Sequence, residues 1–204
     1  WFLENLSTKH RIYDIVSEPI ERLFALILGL ALLPLMVIIV LMIKITSPGS
    51  AFFSQRRIGK NGREFTIWKF RSMRTDAEKD GPQWANYFND TRVTWFGNVL
   101  RKTHLDEFPQ LFNILMGETS FVGPRPERPE FVEKLRKELP YYDLRHLTKP
   151  GITGWAQINY RYAASAADAY QKLQYDIYYI KNNSPLLDLV IIVRTIKFLI
   201  TNLS

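Results

Sequence analysis

The feature that most constrains the fold is the stretch from Leu23 to Ile43, LFALILGLALLPLMVIIVLMI, 21 residues without a charge. As a helix it is long enough to cross a bilayer, for which about 20 apolar residues suffice. It is too long for a signal peptide, and no small-residue cleavage site follows it. A core helix that is apolar on every side is unusual in so small a domain. Pro34 lies at the middle of the run, where it removes a backbone hydrogen bond and bends the helix. Basic residues flank both ends: Lys9, Arg11 and Arg22 before, Lys44, Arg56, Arg57 and Lys60 after. A single span normally shows a basic bias on its cytoplasmic side alone. Together these features predict a helix–break–helix hairpin that enters and leaves by one face, with a simple span as the alternative.

The 204 residues suffice for one substantial domain and its core. With 27 basic and 20 acidic residues the chain carries a net charge of +7, which points to an anionic partner. The basic residues alternate with acidic ones rather than forming a run. Nucleic acid is therefore not expected as a partner, whereas membrane phospholipid and phosphorylated small molecules are. There is no cysteine, so disulfides and thiolate metal sites are excluded, and three scattered histidines do not suggest a zinc cluster. The chain begins at Trp1 rather than Met and reads as a fragment or a processed form of a protein.

Beyond the turn signal Ser47-Pro48-Gly49 the chain becomes soluble in character. Phe65 to Arg71 reads as a strand with Trp68 and Phe70 on one face and Lys69 and Arg71 on the other. Two adjacent cations suit a diphosphate; an exposed charged strand face is the plainer reading. Asp76 to Asp90, with Gly81-Pro82, is a polar loop. Thr94 to Lys102 is a short helix that would deliver Arg101 towards the acidic pair Asp106 and Glu107. Leu105, Phe108, Leu111, Phe112 and Leu115 recur at helical spacing as a buried stripe, leaving Asp106, Gln110 and Asn113 on another face. Two carboxylates with guanidinium groups nearby can handle a metal and a phosphate. A solvated helix start, where the dipole favours acidic residues, is the alternative.

Further on, Arg128 to Leu139 is a charged helix ended by Pro140. Lys149 to Gln157 is a Gly/Pro-rich turn that either wraps a ligand or is only structural. Ser165-Ala-Ala-Asp168 has capping-box form and starts a helix running to about Lys181. Asp176 falls on its buried stripe with Leu173, Ile177 and Ile180. An inward carboxylate needs a partner, so Asp176 belongs either to a salt bridge or to catalysis. Ser184-Pro185 starts the last helix, Leu186 to Ile200, in the membrane interface or in the core.

The ordered set of pieces resembles the monotopic phosphoglycosyl transferases, also called the bacterial sugar transferase family. It comprises Leu33-Pro34, Trp68-Lys-Phe-Arg-Ser-Met73, Arg101 with Leu105-Asp-Glu107, Gln110-Leu-Phe-Asn113 and Ser120-Phe-Val-Gly-Pro-Arg-Pro126. Arg145-His146, Lys149-Pro-Gly-Ile-Thr-Gly-Trp-Ala-Gln157 and Tyr175-Asp176 with Tyr178-Tyr179 complete it. The resemblance covers nearly everything from residue 20 to 190. It implies a mostly helical α+β fold: an N-terminal segment with a re-entrant membrane hairpin (1–46), then a small cytosolic catalytic domain (47–204). Short strands and interfacial amphipathic helices would build that domain.

The resemblance also implies an enzyme on the cytoplasmic face of the bacterial inner membrane. It would transfer a sugar-1-phosphate from a UDP-sugar to undecaprenyl phosphate, with Mg²⁺ and release of UMP, opening exopolysaccharide, O-antigen or capsule assembly. By the same resemblance Asp106 is the nucleophile that forms a phosphosugar–aspartyl intermediate, Glu107 the metal ligand and Arg125 a phosphate contact. Lys69, Arg71, Arg101, Arg145 and Asp176 complete the expected phosphate- and substrate-binding set. A homo-oligomer is compatible with the pattern. The larger family members carry additional N-terminal membrane segments, and Leu33-Pro34 stands where minimal members often have Ser-Pro.

Overall fold

The computed structural model describes residues 2–79, 90–160 and 166–203. Its first element is one long helix, α1 (Phe2–Thr46), with Pro19 and Pro34 inside it. The expected break at Pro34 is not a break: the helix runs through it. Proline removes the donor to the Leu30 carbonyl, but its fixed φ is itself helical, so it can bend a helix without ending it. Within α1, the segment Ile15–Thr46 is apolar enough to cross a membrane, and only 11% of its most apolar window is buried.

What is buried is a single stripe. Ala25, Leu28 and Leu32 pack on Leu111 and Ile114. Met36, Ile39, Val40 and Ile43 pack on Phe70, Leu100, Leu105 and Phe108. The spacing of three and four residues continues past Pro34, as one face of one helix requires. Both halves of the apolar segment therefore rest on the same body. The remaining faces expose Leu23, Ile27, Leu30, Leu33, Val37 and Leu41. At roughly 1.5–3 kcal/mol for each buried aliphatic side chain, such a surface is strongly disfavoured in water. Ahead of the apolar run the docking becomes polar. Glu18 pairs with Lys149 at 2.6 Å, Ser120 Oγ donates to Glu21 at 2.8 Å, and the Tyr13 hydroxyl donates to Asp188.

After the turn at Ser47–Ser50 the chain forms an antiparallel hairpin, β1 (Phe52–Ile58) and β2 (Glu64–Phe70), in register from Phe52 opposite Phe70 to Ile58 opposite Glu64. Its turn places Asn61 at φ 57° and Gly62 at φ 73°, left-handed values that these two residue types tolerate best. Helix α2 (Trp95–Lys102) is capped by Thr94, whose Oγ1 accepts from Gly97 N at 2.9 Å. The helix expected across the acidic pair is divided. A 3₁₀ turn holds Leu105–Glu107, and α3 (Gln110–Met116) starts after Pro109, which has no N–H to continue the ladder. The buried residues shift accordingly: Gln110, Leu111, Asn113 and Ile114 face inward, while Phe112 is exposed.

The rest of the body comprises β3 (Ser120–Val122), α4 (Pro129–Glu138), a 3₁₀ segment Tyr142–Leu147, β4 (Gly151–Thr153), α5 (Trp155–Asn159), α6 (Ala166–Asn182) and α7 (Pro185–Leu203). α4, α6 and the 3₁₀ segment share a core of Val132, Leu135, Leu139, Tyr142, Ala169 and Leu173. α7 packs Ile191 on Val122, Tyr179 and Ile180, while Leu186, Leu189, Val193, Ile196 and Ile200 line its exposed side. It thus serves core and surface at once. The Gly81-Pro82 part of the polar loop and the Ser165 cap lie outside the described residues.

The Gly/Pro-rich turn at Lys149–Gln157 is a structural element: β4 pairs in parallel with β3. A Cβ on Gly151 would overlap the backbone of Gly123 and Val122, and one on Gly123 would overlap that of Lys149. The two glycines allow the strands their close approach. Gly151→Ala should therefore separate β3 from β4 and cost about 3 kcal/mol, visible as a lowered thermal midpoint of the detergent-solubilised chain.

Candidate active site

Three elements converge on Glu107. The 3₁₀ turn after α2 presents it, and His104, at φ 55°, turns the chain so that both carboxylates point into the body. Asp106 and Glu107 are each only 8% exposed, which removes the reading of a solvated helix start. β2 supplies Lys69, whose Nζ donates to Glu107 Oε1 at 2.6 Å. The segment after β3 supplies Arg125, whose Nη2 donates to the same oxygen at 2.7 Å. Burial alone would push the Glu107 carboxyl up, but Arg125 and Lys69 outweigh it and hold the group well below the usual carboxylate range. Burial lowers the Lys69 ammonium, and Glu107 partly offsets this. The Arg125 side chain is 41% exposed, so the guanidinium reaches solvent beyond its bond to Glu107.

Asp106 is different. It makes no hydrogen bond or ion pair with any described residue. Burial raises its carboxyl, opposed by the charge of Lys69 and reinforced by that of Glu107. The pair thus divides into one carboxylate saturated by cations and a neighbour left without a partner. Such divergence of two adjacent acids is a mark of a reactive site.

Arg125 is placed by backbone bonds. Pro124 and Pro126 have no N–H, so the loop cannot form a regular ladder, and its carbonyls need donors from elsewhere. All four find one. Gly151 N donates to Pro124 O at 3.0 Å and Ile58 N to Glu127 O at 2.9 Å. Arg145 Nη2 donates to Arg125 O at 2.9 Å and Arg57 Nη1 to Pro126 O at 3.0 Å. Lys69 is placed by Asn113, which is fully buried: its Oδ1 accepts from Trp68 N at 3.1 Å and its Nδ2 donates to Thr66 O at 2.7 Å. Arg57, Asn113 and Tyr142 are functional supports that sequence reasoning did not assign. A Pro-x-Pro segment, short of donors by composition, was the one signal that side-chain donors must come to it.

The other expected site residues fall elsewhere. Arg145 and Asp176 form a buried ion pair, with Nη2 and Nε at 2.9 and 3.1 Å from Asp176 Oδ2. Arg145 Nη1 also donates to the Tyr142 hydroxyl at 2.6 Å. All three guanidinium nitrogens are engaged, so Arg145 acts as a strut from α6 to the Arg125 carbonyl. Burial pushes the Asp176 carboxyl up and the guanidinium pulls it back. Arg71 does not join Lys69. It lies beyond the end of β2, buried against the turn after α1, and donates to Ser47 O at 2.8 Å. Arg101 donates to Ser72 Oγ at 3.0 Å rather than reaching the acidic pair, because the chain reverses at His104 between them.

Two carboxylates side by side are a donor set that Mg²⁺ accepts when substrate phosphate supplies further oxygens. Among the described residues no group of three or more His, Cys, Asp or Glu side chains could hold a metal, so a metal here would depend on such substrate oxygens.

Removing one member of a buried pair leaves an uncompensated charge. Asp176→Asn is expected to lower stability by roughly 3 kcal/mol, and Arg145→Met with Asp176→Leu to recover part of that loss; thermal unfolding of the single and double variants measures the coupling. For Glu107 the sign follows from its depressed carboxyl. Its stabilisation is present above the ordinary carboxylate value and is lost as pH falls through the carboxylate range, below about pH 4.5. The gap in thermal midpoint between the parent chain and Glu107→Gln should therefore narrow from pH 7 to pH 4.

The family model described as bacterial sugar transferase matches residues 12–202. The chain is 45% identical over 190 residues to the UDP-N-acetylgalactosamine-undecaprenyl-phosphate N-acetylgalactosaminephosphotransferase of Aeromonas hydrophila, covering 93% of this chain and 45% of that protein. It is 44% identical over 186 residues to the UDP-glucose:undecaprenyl-phosphate glucose-1-phosphate transferase of Xanthomonas campestris pv. campestris, covering 90% and 38%. The chain thus spans less than half the length of these two relatives. An exopolysaccharide production protein of Rhizobium leguminosarum bv. phaseoli is 39% identical over 191 residues, covering 91% and 92%. With the family model extending over nearly all of its length, this chain belongs to the bacterial sugar transferase family.

Proposed function

We propose that the chain transfers a sugar-1-phosphate from a UDP-sugar to undecaprenyl phosphate and releases UMP. The observation that carries this reading is the division of labour in the acidic pair: Glu107 is clamped by Lys69 and Arg125, and Asp106 beside it has no hydrogen-bond or ion-pair partner among the described residues. A carboxylate nucleophile is repelled by a diphosphate unless cations lie beside it, and here they do. Asp106 Oδ attacks the β-phosphorus, the bond from that phosphorus to the bridging oxygen breaks, and UMP leaves with the electron pair. The acyl phosphate formed on Asp106 is reactive enough to pass its phosphosugar on. An oxygen of the lipid phosphate then attacks the same phosphorus, and the Asp106 carboxylate departs unchanged. Arg125, with its exposed edge, offers a fork to phosphate oxygens, and Lys69 supplies a second positive charge. Glu107, together with substrate oxygens, would hold Mg²⁺, which would neutralise diphosphate charge.

The lipid acceptor accounts for the apolar helix. Residues on both sides of Pro34 pack on one body, and polar contacts at Glu18 and Glu21 continue that docking. A straight span would carry one half of α1 away from a domain lying on one side of the bilayer. The packing therefore favours a bent, re-entrant helix that keeps the site at headgroup level, on the cytoplasmic face of the inner membrane.

Asp106→Asn should abolish the covalent adduct with UDP-sugar and slow UMP release by ~10³-fold or more, read by intact-protein mass spectrometry; an undiminished adduct would remove Asp106 as nucleophile. Because the chain has no cysteine, His10→Cys and Gln55→Cys report topology cleanly. Both should react with an impermeant maleimide from the same side, and reaction from opposite sides would replace the re-entrant arrangement with a span.

A further inference from the structure

One turn beyond the acidic pair, Gln110 is buried with its side chain unbonded. It is 2% exposed, its Nε2 is enclosed without a partner, and its amide makes no hydrogen bond with any other described residue. A side-chain amide carries two donors and an acceptor, and burying them unpaired forgoes the bonds that would offset desolvation. Asn113, one turn further on, shows the ordinary outcome. Its Oδ1 accepts from Trp68 N, and its Nδ2 donates to Thr66 O and Glu118 Oε2. The same kind of group is thus fully bonded at one position and unused at the other.

The backbone sets the unused amide beside the acids. Pro109 interrupts the hydrogen-bond ladder, yet Phe108 (φ −55°, ψ −36°) and Pro109 (φ −60°, ψ −15°) keep helical dihedrals. The 3₁₀ turn therefore winds on into α3 without a change of direction. Gln110 lies three residues from Glu107 and four from Asp106, spacings at which helical neighbours have Cβ atoms about 5–6 Å apart. Glu107 and Asn113, three residues to either side of Gln110, bond adjacent residues of β2: Lys69 Nζ at 2.6 Å and Trp68 N at 3.1 Å. Gln110 falls between them and faces the same strand. Of the two acids within reach, Glu107 already accepts from both cations, whereas Asp106 accepts from no described residue. An unused donor and an unused acceptor are neighbours.

We propose that Gln110 is a positioning residue for the nucleophile, its Nε2–H donating to the inner oxygen of Asp106 while the outer oxygen engages phosphorus. The proposal rests on the sugar-phosphate transfer reading above. No hydrogen bond holds the amide in the resting fold, so rotation about its side-chain bonds suffices to present a donor. In the first step the outer oxygen forms its bond to phosphorus as UMP leaves with the electron pair of the broken P–O bond. In the second, an oxygen of the lipid phosphate bonds to that phosphorus, and the electron pair of the Asp106 O–P bond returns to the carboxylate. The Gln110 donor meets the charge that returns. A bond absent at rest and made as that charge develops lowers the barrier rather than KM.

Gln110→Met keeps the length of the side chain and removes both donors. Because it replaces an unbonded buried amide with an apolar group of similar shape, the thermal midpoint of the full chain in detergent should be equal to the parent's or higher. UMP release with saturating undecaprenyl phosphate should nonetheless show kcat lowered by about tenfold or more, with KM for the UDP-sugar within about threefold. UDP-glucose and UDP-N-acetylgalactosamine are both assayed, and the donor that the parent turns over faster is used. Decay of the covalent adduct on addition of undecaprenyl phosphate, followed by quenched-flow mass spectrometry, should slow by a similar factor. Gln110→Glu, which keeps the shape but replaces donors with acceptors, should lose at least as much. A kcat within twofold of the parent for Gln110→Met would overturn the proposal, as would a loss that tracks a lowered midpoint in both variants. A raised KM with unchanged kcat would also overturn it, by making Gln110 a substrate contact. If the parent chain formed no adduct and released no UMP from either donor, the transfer reading itself would fall, and this proposal with it.

Discussion

The site depends on one buried carboxylate oxygen. Glu107 Oε1 accepts from Lys69 and Arg125 together, and through that atom the β2 strand, the acidic turn and the Pro-Arg-Pro loop are tied into one constellation. An isolated carboxylate at that depth would be driven to take up a proton; two cations reverse the tendency and keep Glu107 ionised. The same cations lie within electrostatic reach of Asp106, whose own oxygens stay unclaimed. Asp106 is thus left unclaimed while its neighbour takes the bonds of both cations.

Around that atom the supporting contacts are backbone carbonyls held from outside. Asn113 grips β2 at Thr66 and Trp68, and Arg57 and Arg145 grip Pro126 and Arg125. Each is buried or nearly so, where a lost bond leaves an orphaned polar group. α1 belongs to the same scheme. It contacts α2, α3 and β3 along its length, so the apolar helix and the acidic turn share a core rather than being joined by a flexible tether.

Several particulars were legible from pattern alone. The apolar run, the strand carrying Lys69, the capped start of α2, α4 and the Pro-initiated α7 all follow from local rules of periodicity and capping. The Asn61-Gly62 turn, the strongest kind of short hairpin signal, went unread, and β1 with it, because the polar and charged residues of that strand blur the alternation. The division at Pro109 was missed because helical spacing continued across it, and periodicity does not register a missing N–H. Asp176 stayed open between a salt bridge and catalysis, and Arg145 was expected among the substrate-binding residues, for another reason. Charged residues in a family motif look like ligands, and only the geometry shows that each nitrogen of Arg145 is already spoken for within the protein.

The order of motifs along the chain was enough to establish a membrane-seeking helix, a mixed α+β body and a family, because these depend on composition and on contacts between near neighbours. It was also enough to nominate Asp106 and Glu107. Which of the two is clamped, which cations reach them, and whether Pro34 ends the helix or merely interrupts one bond could not be read that way. Those outcomes depend on residues 18 to 38 positions apart meeting at 2.6–2.7 Å and on a stripe that docks both halves of α1 on one surface. Such long-range pairings are decided when the chain closes its loops and buries its charges together, and a linear pattern carries no distance between segments that meet only then.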